Sequence, residues 1–244
     1  VTITVKPDEG YELDELTVTD KNGDEIKLTD KGDGRYTFKM PRSKVTIEAS
    51  FVETDHQDPC PAADFRDVDE DAWYHEAVDY ALDNGLMSGV SDREFAPGST
   101  LTRAMVAQML YSLEGKPAAG RADFADVAEG AWYADAISWA AGEGIVSGYG
   151  DTFGPNDPIT REQLAAILYR YAQNEGYKTS QSGKGTEGYL DASSISSYAV
   201  KAMDWAVNAG LLSGKGNNTL APTAGATRAE VAQIFMNFCE DIAK

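Results

Sequence analysis

Histidine and cysteine are nearly absent from this 244-residue sequence, which holds only His56, His75, Cys60 and Cys239. Two histidines leave little material for imidazole catalysis. No Cys-x-x-Cys pair or Cys/His cluster at ligand spacing is present, so no metal centre and no cofactor is expected. Two cysteines cannot make a disulfide framework. Positive charge is also short, 21 Lys+Arg against 40 Asp+Glu, for a formal net charge of −19. That average field repels a polyphosphate, which argues against nucleic acid as a partner. No apolar run approaches the length of a membrane span, so no membrane insertion is expected. The opening Val1-Thr2-Ile3-Thr4-Val5 lacks a charged n-region and an apolar h-region, and no signal peptide is expected in it. General disorder is excluded too, because 42% of the residues are hydrophobic, enough for a sizeable core.

What is present changes character along the chain. Val1, Ile3 and Val5, and later Val45, Ile47, Ala49 and Phe51, alternate with polar neighbours, the period of half-buried strands. Further strands are expected at Leu16–Thr19, Glu25–Leu28 and Arg35–Met40, with Asn22-Gly23 and Asp33-Gly34 as hairpin turns. Residues 1–53 therefore read as a small antiparallel β module, with eight Lys+Arg against twelve Asp+Glu. A polar, Pro-containing linker spans residues 54–59. Beyond it the period is helical, as in Ala77, Val78, Ala81 and Leu82.

The helical part repeats itself three times. Phe65-Arg66-Asp67-Val68 returns as Phe124-Ala125-Asp126-Val127, and Trp73-Tyr74 returns as Trp132-Tyr133. Leu86-Met87-Ser88-Gly89 returns as Ile145-Val146-Ser147-Gly148 and Leu211-Leu212-Ser213-Gly214. Leu101-Thr102-Arg103 returns as Ile159-Thr160-Arg161 and Ala226-Thr227-Arg228. The third copy diverges: Leu190-Asp191 stands for Phe-x-Asp, and Tyr198 stands for Trp. A Gly/Ser/Lys-rich insertion at 174–188 lengthens it. The repeats are set at 60–118, 119–178 and 179–244. Each reads as helix, loop, helix. The first helix is expected to carry the Trp-Tyr pair and to end at Gly85, Gly144 or Gly210. The second starts at the Thr before each Arg, with capping boxes Thr160-x-x-Gln163 and Thr227-x-x-Glu230 but none at Thr102. One helical hairpin has too little core to stand alone, so the three are expected to pack together.

These motifs, in fixed order and three times over, resemble the S-layer homology (SLH) domain, across about residues 60–244. Residues 1–53 resemble the β-rich repeats that precede SLH regions in large bacterial surface proteins, carried by Tyr36–Pro41 and Val45–Phe51. The chain is expected to begin inside such a module, as a C-terminal fragment. The resemblance implies an α+β multidomain protein whose mainly α part is a pseudo-threefold trimer of helix-loop-helix SLH repeats. It implies a non-enzymatic anchor, extracellular and on the cell wall. The partner would be secondary cell-wall polysaccharide, often carrying a pyruvate ketal on N-acetylmannosamine and held in grooves between repeats. It says nothing of oligomeric state. Two other readings stay open: a protein–protein assembly module of a surface layer, and the anchor of a larger enzyme. A carboxylate-pair glycosidase within the chain is disfavoured, since the prominent acids recur with the repeat and a catalytic pair is normally unique.

Arg103, Arg161 and Arg228 stand at the first helical position, where a cation faces the positive end of the helix dipole at a cost of roughly 0.3–1 kcal/mol. Three repetitions of that choice point to an anion at each Arg, and a pyruvate carboxylate suits a guanidinium flanked by helix N–H groups. The alternative is an internal salt bridge to Asp67, Asp126 or Asp191, which read equally as groove-lining or as turn residues. Gly89, Gly148 and Gly214 read as αL or tight-turn positions and as groove floor. Trp73 and Trp132 are candidates to stack on a sugar, although aromatics at helical spacing, Tyr74 and Tyr133 included, more often belong to a core. His75 reads as a surface residue. If the repeats close into the ring that the resemblance implies, Cys60 and Cys239 fall within about 18 Å at the one junction without a covalent link. A disulfide is one reading there; a buried Cys239 and a free Cys60 thiol are the other.

Overall fold

The computed structural model describes residues 1–7, 11–32, 34–53, 60–180 and 182–243. They fall into two compact units, Val1–Pro59 and Cys60–Lys244. The expected linker, 54–59, lies outside the described residues.

In the first unit the described strands are β1 (Thr2–Thr4), β2 (Tyr11–Thr19), β3 (Thr29–Asp30), β4 (Arg35–Thr37) and β5 (Thr46–Glu53). They form two antiparallel sheets, one ordered β1-β4-β3 and the other β2-β5. Val18 on β2 pairs with Ile47 on β5, and Val18 and Phe38 are buried. Glu25–Leu28, expected as a strand, makes only one isolated bridge, Thr19 to Glu25. After that bridge the chain leaves β2 and sets Thr29–Asp30 beside β4 instead.

The second unit holds α1 (His75–Asp83), α2 (Arg103–Leu113), α3 (Ala134–Gly142), α4 (Arg161–Asn174), α5 (Val200–Asn208) and α6 (Arg228–Asp241). Their apolar faces share one core that includes Val78, Leu110, Ile137, Leu168, Trp205 and Phe235. The helices pair across repeats: α2 packs on α3, α4 on α5, and α6 on α1. The last pairing closes the ring. Thr102, Thr160 and Thr227 cap α2, α4 and α6, and the boxes with Gln163 and Glu230 form in full. Gly85, Gly144 and Gly210 follow the first helices at φ of +62°, +71° and +75°, the left-handed region that favours glycine. The Trp-Tyr pairs are not on those helices, however. Tyr74 and Tyr133 are the N-caps of α1 and α3, so Trp73 and Trp132 stand in the turn before them.

At the centre of the ring the three repeats exchange main-chain hydrogen bonds in a cycle. Leu101 N–H donates to Ala226 C=O (3.2 Å), Ala226 N–H to Ile159 C=O (2.9 Å), and Ile159 N–H to Leu101 C=O (2.9 Å). All three residues are buried. The helix starts are tied the same way. Arg103 and Ala104 donate their N–H groups to Asp157 and Pro155, Arg161 and Glu162 to Ala224 and Pro222, and Arg228 and Ala229 to Ser99 and Pro97. These N–H groups have no partner within their own helices. The first two N–H groups of each helix are therefore satisfied by the neighbouring repeat, and the third by the helix's own Thr cap.

The amides of Leu101, Ile159 and Ala226 should accordingly exchange with deuterium only through global unfolding. Native-state exchange across a denaturant series should give the three one common opening free energy, equal to the global value. Release of any one of them by a smaller opening would contradict the interlock.

Candidate functional site

Each repeat carries the same relay. Asp67 accepts the N–H groups of Phe95 (2.9 Å) and Ala96 (2.7 Å). Asp126 does so for Phe153 and Gly154 (both 2.7 Å), and Asp191 for Leu220 (2.8 Å) and Ala221 (2.7 Å). The second residue of each pair has positive φ, 58° at Ala96, 71° at Gly154 and 49° at Ala221. The carboxylate holds this strained turn in place. For Asp191 the Leu220 N–H leads in holding the carboxyl below its ordinary range. For Asp126 burial pushes up, but the Phe153 and Gly154 N–H groups outweigh it and the net shift is down.

The turn's carbonyl then receives an arginine from the preceding repeat. Arg228 Nε donates to Phe95 C=O (2.6 Å), Arg103 Nε to Phe153 C=O (3.0 Å) and Arg161 Nε to Leu220 C=O (2.9 Å). Their Nη2 atoms donate to Ser88 (2.5 Å), Ser147 (2.8 Å) and Ser213 (2.5 Å) C=O. All three side chains are buried, and burial pulls each guanidinium below its ordinary value. Among the described residues no ion pair joins these Arg to Asp67, Asp126 or Asp191; Asp and Arg meet through the turn peptide between them. The dipole argument from sequence needs correction here. The helix N–H groups expected to assist an anion already bind carbonyls of the neighbouring repeat, and other carbonyls of that same repeat receive the guanidinium.

Gly89, Gly148 and Gly214 lie outside the left-handed region, contrary to expectation. They are glycine because of close approach. A Cβ on Gly148 would collide with Thr152 C=O and lie 2.5 Å from the Phe124 ring, and one on Gly89 would collide with the Phe65 ring. In the third repeat the neighbouring ring is Tyr189, 3.1 Å from a Cβ on Gly214. So Tyr189, not Leu190, takes the place of Phe, and Leu190 is 76% exposed.

Three grooves result, each drawing on all three repeats. One, of about 470 Å³, lies over Ser88-Gly89, with Arg228 at its base, Gln108 and Met109 of α2 on one wall, and Trp132 at its rim. The second, about 450 Å³, lies over Ser147-Gly148 between Arg103, Arg170 and Tyr198. The third, about 300 Å³, lies over Ser213-Gly214 between Arg161, Asn237 and Trp73. Trp73 and Trp132 are 64% and 60% exposed and Tyr198 52%, so these aromatics are rim residues and not core. Tyr74 and Tyr133 are partly buried and pack on the core.

The grooves differ in their acids. In the second, Glu162 accepts from Ser196 N–H (2.9 Å), Ser196 Oγ (2.7 Å) and Tyr198 O–H (3.2 Å). Burial, then Glu162, raises Tyr198 to about 12. In the third, Glu230 binds Lys215 (2.5 Å) and Arg161 Nη1 (3.4 Å). Burial pushes Glu230 up, but Lys215 and the Thr227 N–H outweigh it, and the carboxyl stays below its ordinary range. Arg103 and Arg228 have no protein acceptor for Nη1 among the described residues; they lie over the Phe153 and Phe95 rings at 4.5 and 4.4 Å.

Sequence reasoning missed one cluster. His75 is buried, not on the surface, and its Nε2 lies 3.2 Å from Cys60 Sγ. Asp79 closes the group, 3.1 Å from that sulfur. The residues are separated by 15 and 4 positions, and the His-x-x-x-Asp half was legible as one helix face. Both cysteines are free, so the disulfide is not formed. Cys60 faces His75 and Asp79 on one side of α1, whereas Cys239 of α6 lies near Tyr80, one residue further round the helix.

Three stretches of the chain, 64–105, 123–165 and 188–232, match the S-layer homology domain, and residues 1–55 match the divergent InlB B-repeat domain. An amylopullulanase of Thermoanaerobacterium thermosulfurigenes is 36% identical over 178 residues, 72% of this chain and 9% of that protein. The exoglucanase XynX of Acetivibrio thermocellus is 35% identical over 178 residues, 72% of this chain and 16% of its own length. A surface-layer 125 kDa protein of Lysinibacillus sphaericus is 32% identical over 214 residues, 86% of this chain and 17% of its own length. The chain thus spans less than a fifth of these relatives.

Removing Arg103 strands the buried Phe153 carbonyl at a repeat junction and takes a donor from Ser147 C=O. Arg103→Ala should therefore cost about 2–5 kcal/mol in denaturant unfolding. A loss under about 0.5 kcal/mol, the usual range for surface changes, would remove the Arg from the interlock. Asp126 and Asp191 titrate below their unfolded values in the folded protein. Their contribution is complete above the unfolded pKa of about 4 and is lost as pH falls through the lower folded value. Unfolding midpoints followed from neutral pH into acid should drop in that window, and Asp126→Asn should make the drop shallower.

Proposed function

The chain belongs to the S-layer homology domain family, and on that premise we propose that its three inter-repeat grooves grip an anionic, pyruvylated cell-wall polysaccharide. Cell-wall anchoring and a cell-surface location accompany the family and its relatives. Amylopullulanase, exoglucanase and surface-layer protein share no chemistry by name, so what the common module supplies is attachment. The domains matched are SLH and B-repeat, neither of them catalytic, and any activity of a longer parent protein would lie outside this chain. Burial and the nearby Asp79 push the Cys60 thiol up, which makes it a poor nucleophile beside His75.

One observation carries the glycan reading. In a protein of net charge −19, the lining of each groove holds one more cation than anion, with an exposed aromatic at its rim. A cation at the base suits a ketal carboxylate, and a flat ring at the rim suits the apolar face of a sugar. The field of the distant acids is screened within about 8–10 Å at physiological salt, so the local cation prevails. The buried arginines are poor test sites, since their loss unlocks the ring. Arg170 and the rim tryptophans can be changed without touching it.

Titration calorimetry with purified wall polysaccharide, its pyruvate intact or removed, tests this. Trp73→Ala and Trp132→Ala should each weaken binding about two- to tenfold, the worth of one aromatic contact. Arg170→Ala should cost about 1.5–3 kcal/mol at its groove. Equal affinity for the depyruvylated glycan would remove the carboxylate from the proposal. No binding to either form would leave protein–protein assembly as the better account.

A further inference from the structure

Cys60, His75 and Asp79 lie outside every groove, and nothing in the anchoring function uses them. We infer that they form a binding site for one zinc-class divalent cation, ligated by Cys60 Sγ, His75 Nε2 and an Asp79 carboxylate oxygen. The inference is independent of the glycan reading.

The geometry is that of three corners of a tetrahedron. Sγ lies 3.2 Å from Nε2 and 3.1 Å from Oδ2, and Nε2 lies 3.6 Å from Oδ2. Zinc bonds of about 2.0–2.3 Å at tetrahedral angles set ligand atoms about 3.4–3.6 Å apart, so small movements seat the ion. The donor set is mixed sulfur, nitrogen and oxygen, which zinc accepts and which magnesium and calcium do not favour.

Each ligand is held by something else. His75 Nδ1 lies 3.0 Å from Asp69 C=O. A carbonyl only accepts, so Nδ1 carries a proton, and in the neutral ring that a metal binds Nε2 turns its lone pair to the cluster, the outer-shell arrangement common to metal-binding histidines. Asp79 Oδ1 accepts Ala62 N–H (2.7 Å), which fixes the carboxylate and leaves Oδ2 facing His75. His75 is 8% exposed and Asp79 lies one helical turn after it on α1.

The other repeats give an internal comparison. Ser138 and Asp204 occupy the place of Asp79 and accept the N–H groups of Ala122 and Thr186. Holding that peptide is thus the shared structural task, and it needs neither Cys nor His. The place of His75 is taken by Ala134 and Val200, the first residues of α3 and α5. In the second repeat the corresponding corner is a cavity of about 500 Å³ lined by Gly120, Ala134 and Ser138. Only the first repeat brings one of two cysteines and one of two histidines to the third ligand.

Charge and proton balance close. Without the ion the thiol donates its proton to Asp79. The cation displaces that proton to solvent and bonds the thiolate, with the neutral imidazole and the carboxylate as further ligands. One thiolate and one carboxylate neutralise a dication in a buried place. A water completes four-coordination on the open side, since Cys60 is only partly buried. The ion would pin the turn at Pro61–Asp64 to α1.

The test uses the full chain, stripped by chelation and titrated with Co²⁺ and with Zn²⁺. Co²⁺ should give a thiolate-to-cobalt charge-transfer band and intense tetrahedral d–d bands at one equivalent. Zn²⁺ should abolish them, raise the unfolding temperature and shield Cys60, but not Cys239, from alkylation as read by peptide mass. Cys60→Ser should weaken Zn²⁺ binding by at least about a hundredfold, since outer-shell losses alone cost 10–100-fold. His75→Ala, which copies the second repeat, should do likewise while keeping the far-UV dichroism of the parent. Cys239→Ser should leave the spectrum unchanged. Absence of the charge-transfer band in the parent, its persistence in Cys60→Ser, or its loss in Cys239→Ser would each overturn the site.

Discussion

Everything in the helical unit depends on an exchange of hydrogen bonds in which each repeat completes its neighbour. A helix start leaves N–H groups without partners, and a buried guanidinium needs several acceptors. Here both are met by carbonyls of the adjacent loop, and that loop is shaped by an Asp gripping two consecutive N–H groups. Repeat one supplies the Arg for the loop of repeat two, two for three, and three for one. The main-chain triangle of Leu101, Ile159 and Ala226 runs through the same centre. An isolated repeat would bury an arginine with no acceptor and expose half of each helix pair. The ring is therefore one cooperative body, closed by hydrogen bonds where no covalent link exists.

The grooves inherit this dependence. Each has its base from one repeat, its wall from a second and its rim aromatic from the third, so none exists before the ring closes. Folding of the ring and formation of the grooves are then the same event. The threefold repetition is broken in the side chains. Among the described residues two grooves have a guanidinium edge without a protein acceptor, one of them beside a Glu162 tied by three hydrogen bonds, and the third has a Lys215–Glu230–Arg161 network.

The repeat, the two-unit organisation, the threonine caps and the glycine helix ends were legible in the sequence, because they depend on neighbours within a few positions. Hydrophobic period separates the β unit from the helical one without reference to contacts. The arginine positions were legible as an anomaly: a cation repeated at the wrong end of a helix dipole requires an electronegative partner. The sequence could not say that the partner is a carbonyl 44–59 residues away or, for Arg228, 133–140 residues away.

What only the tertiary structure decided are the facts of distance. Folding within each repeat turns Asp67, Asp126 and Asp191 into clamps on a turn and makes Gly148 a place where Phe124 must fit, and ring closure sets Trp73 and Trp132 at the rims of grooves formed with other repeats. The fold of the first repeat brings Cys60 to His75, and Cys239 stays free on α6. Local pattern determines which elements form and where they end, since the forces involved act over a turn or less. Which loop meets which helix start depends on ring closure, a constraint on three distant segments at once that no single stretch of residues contains.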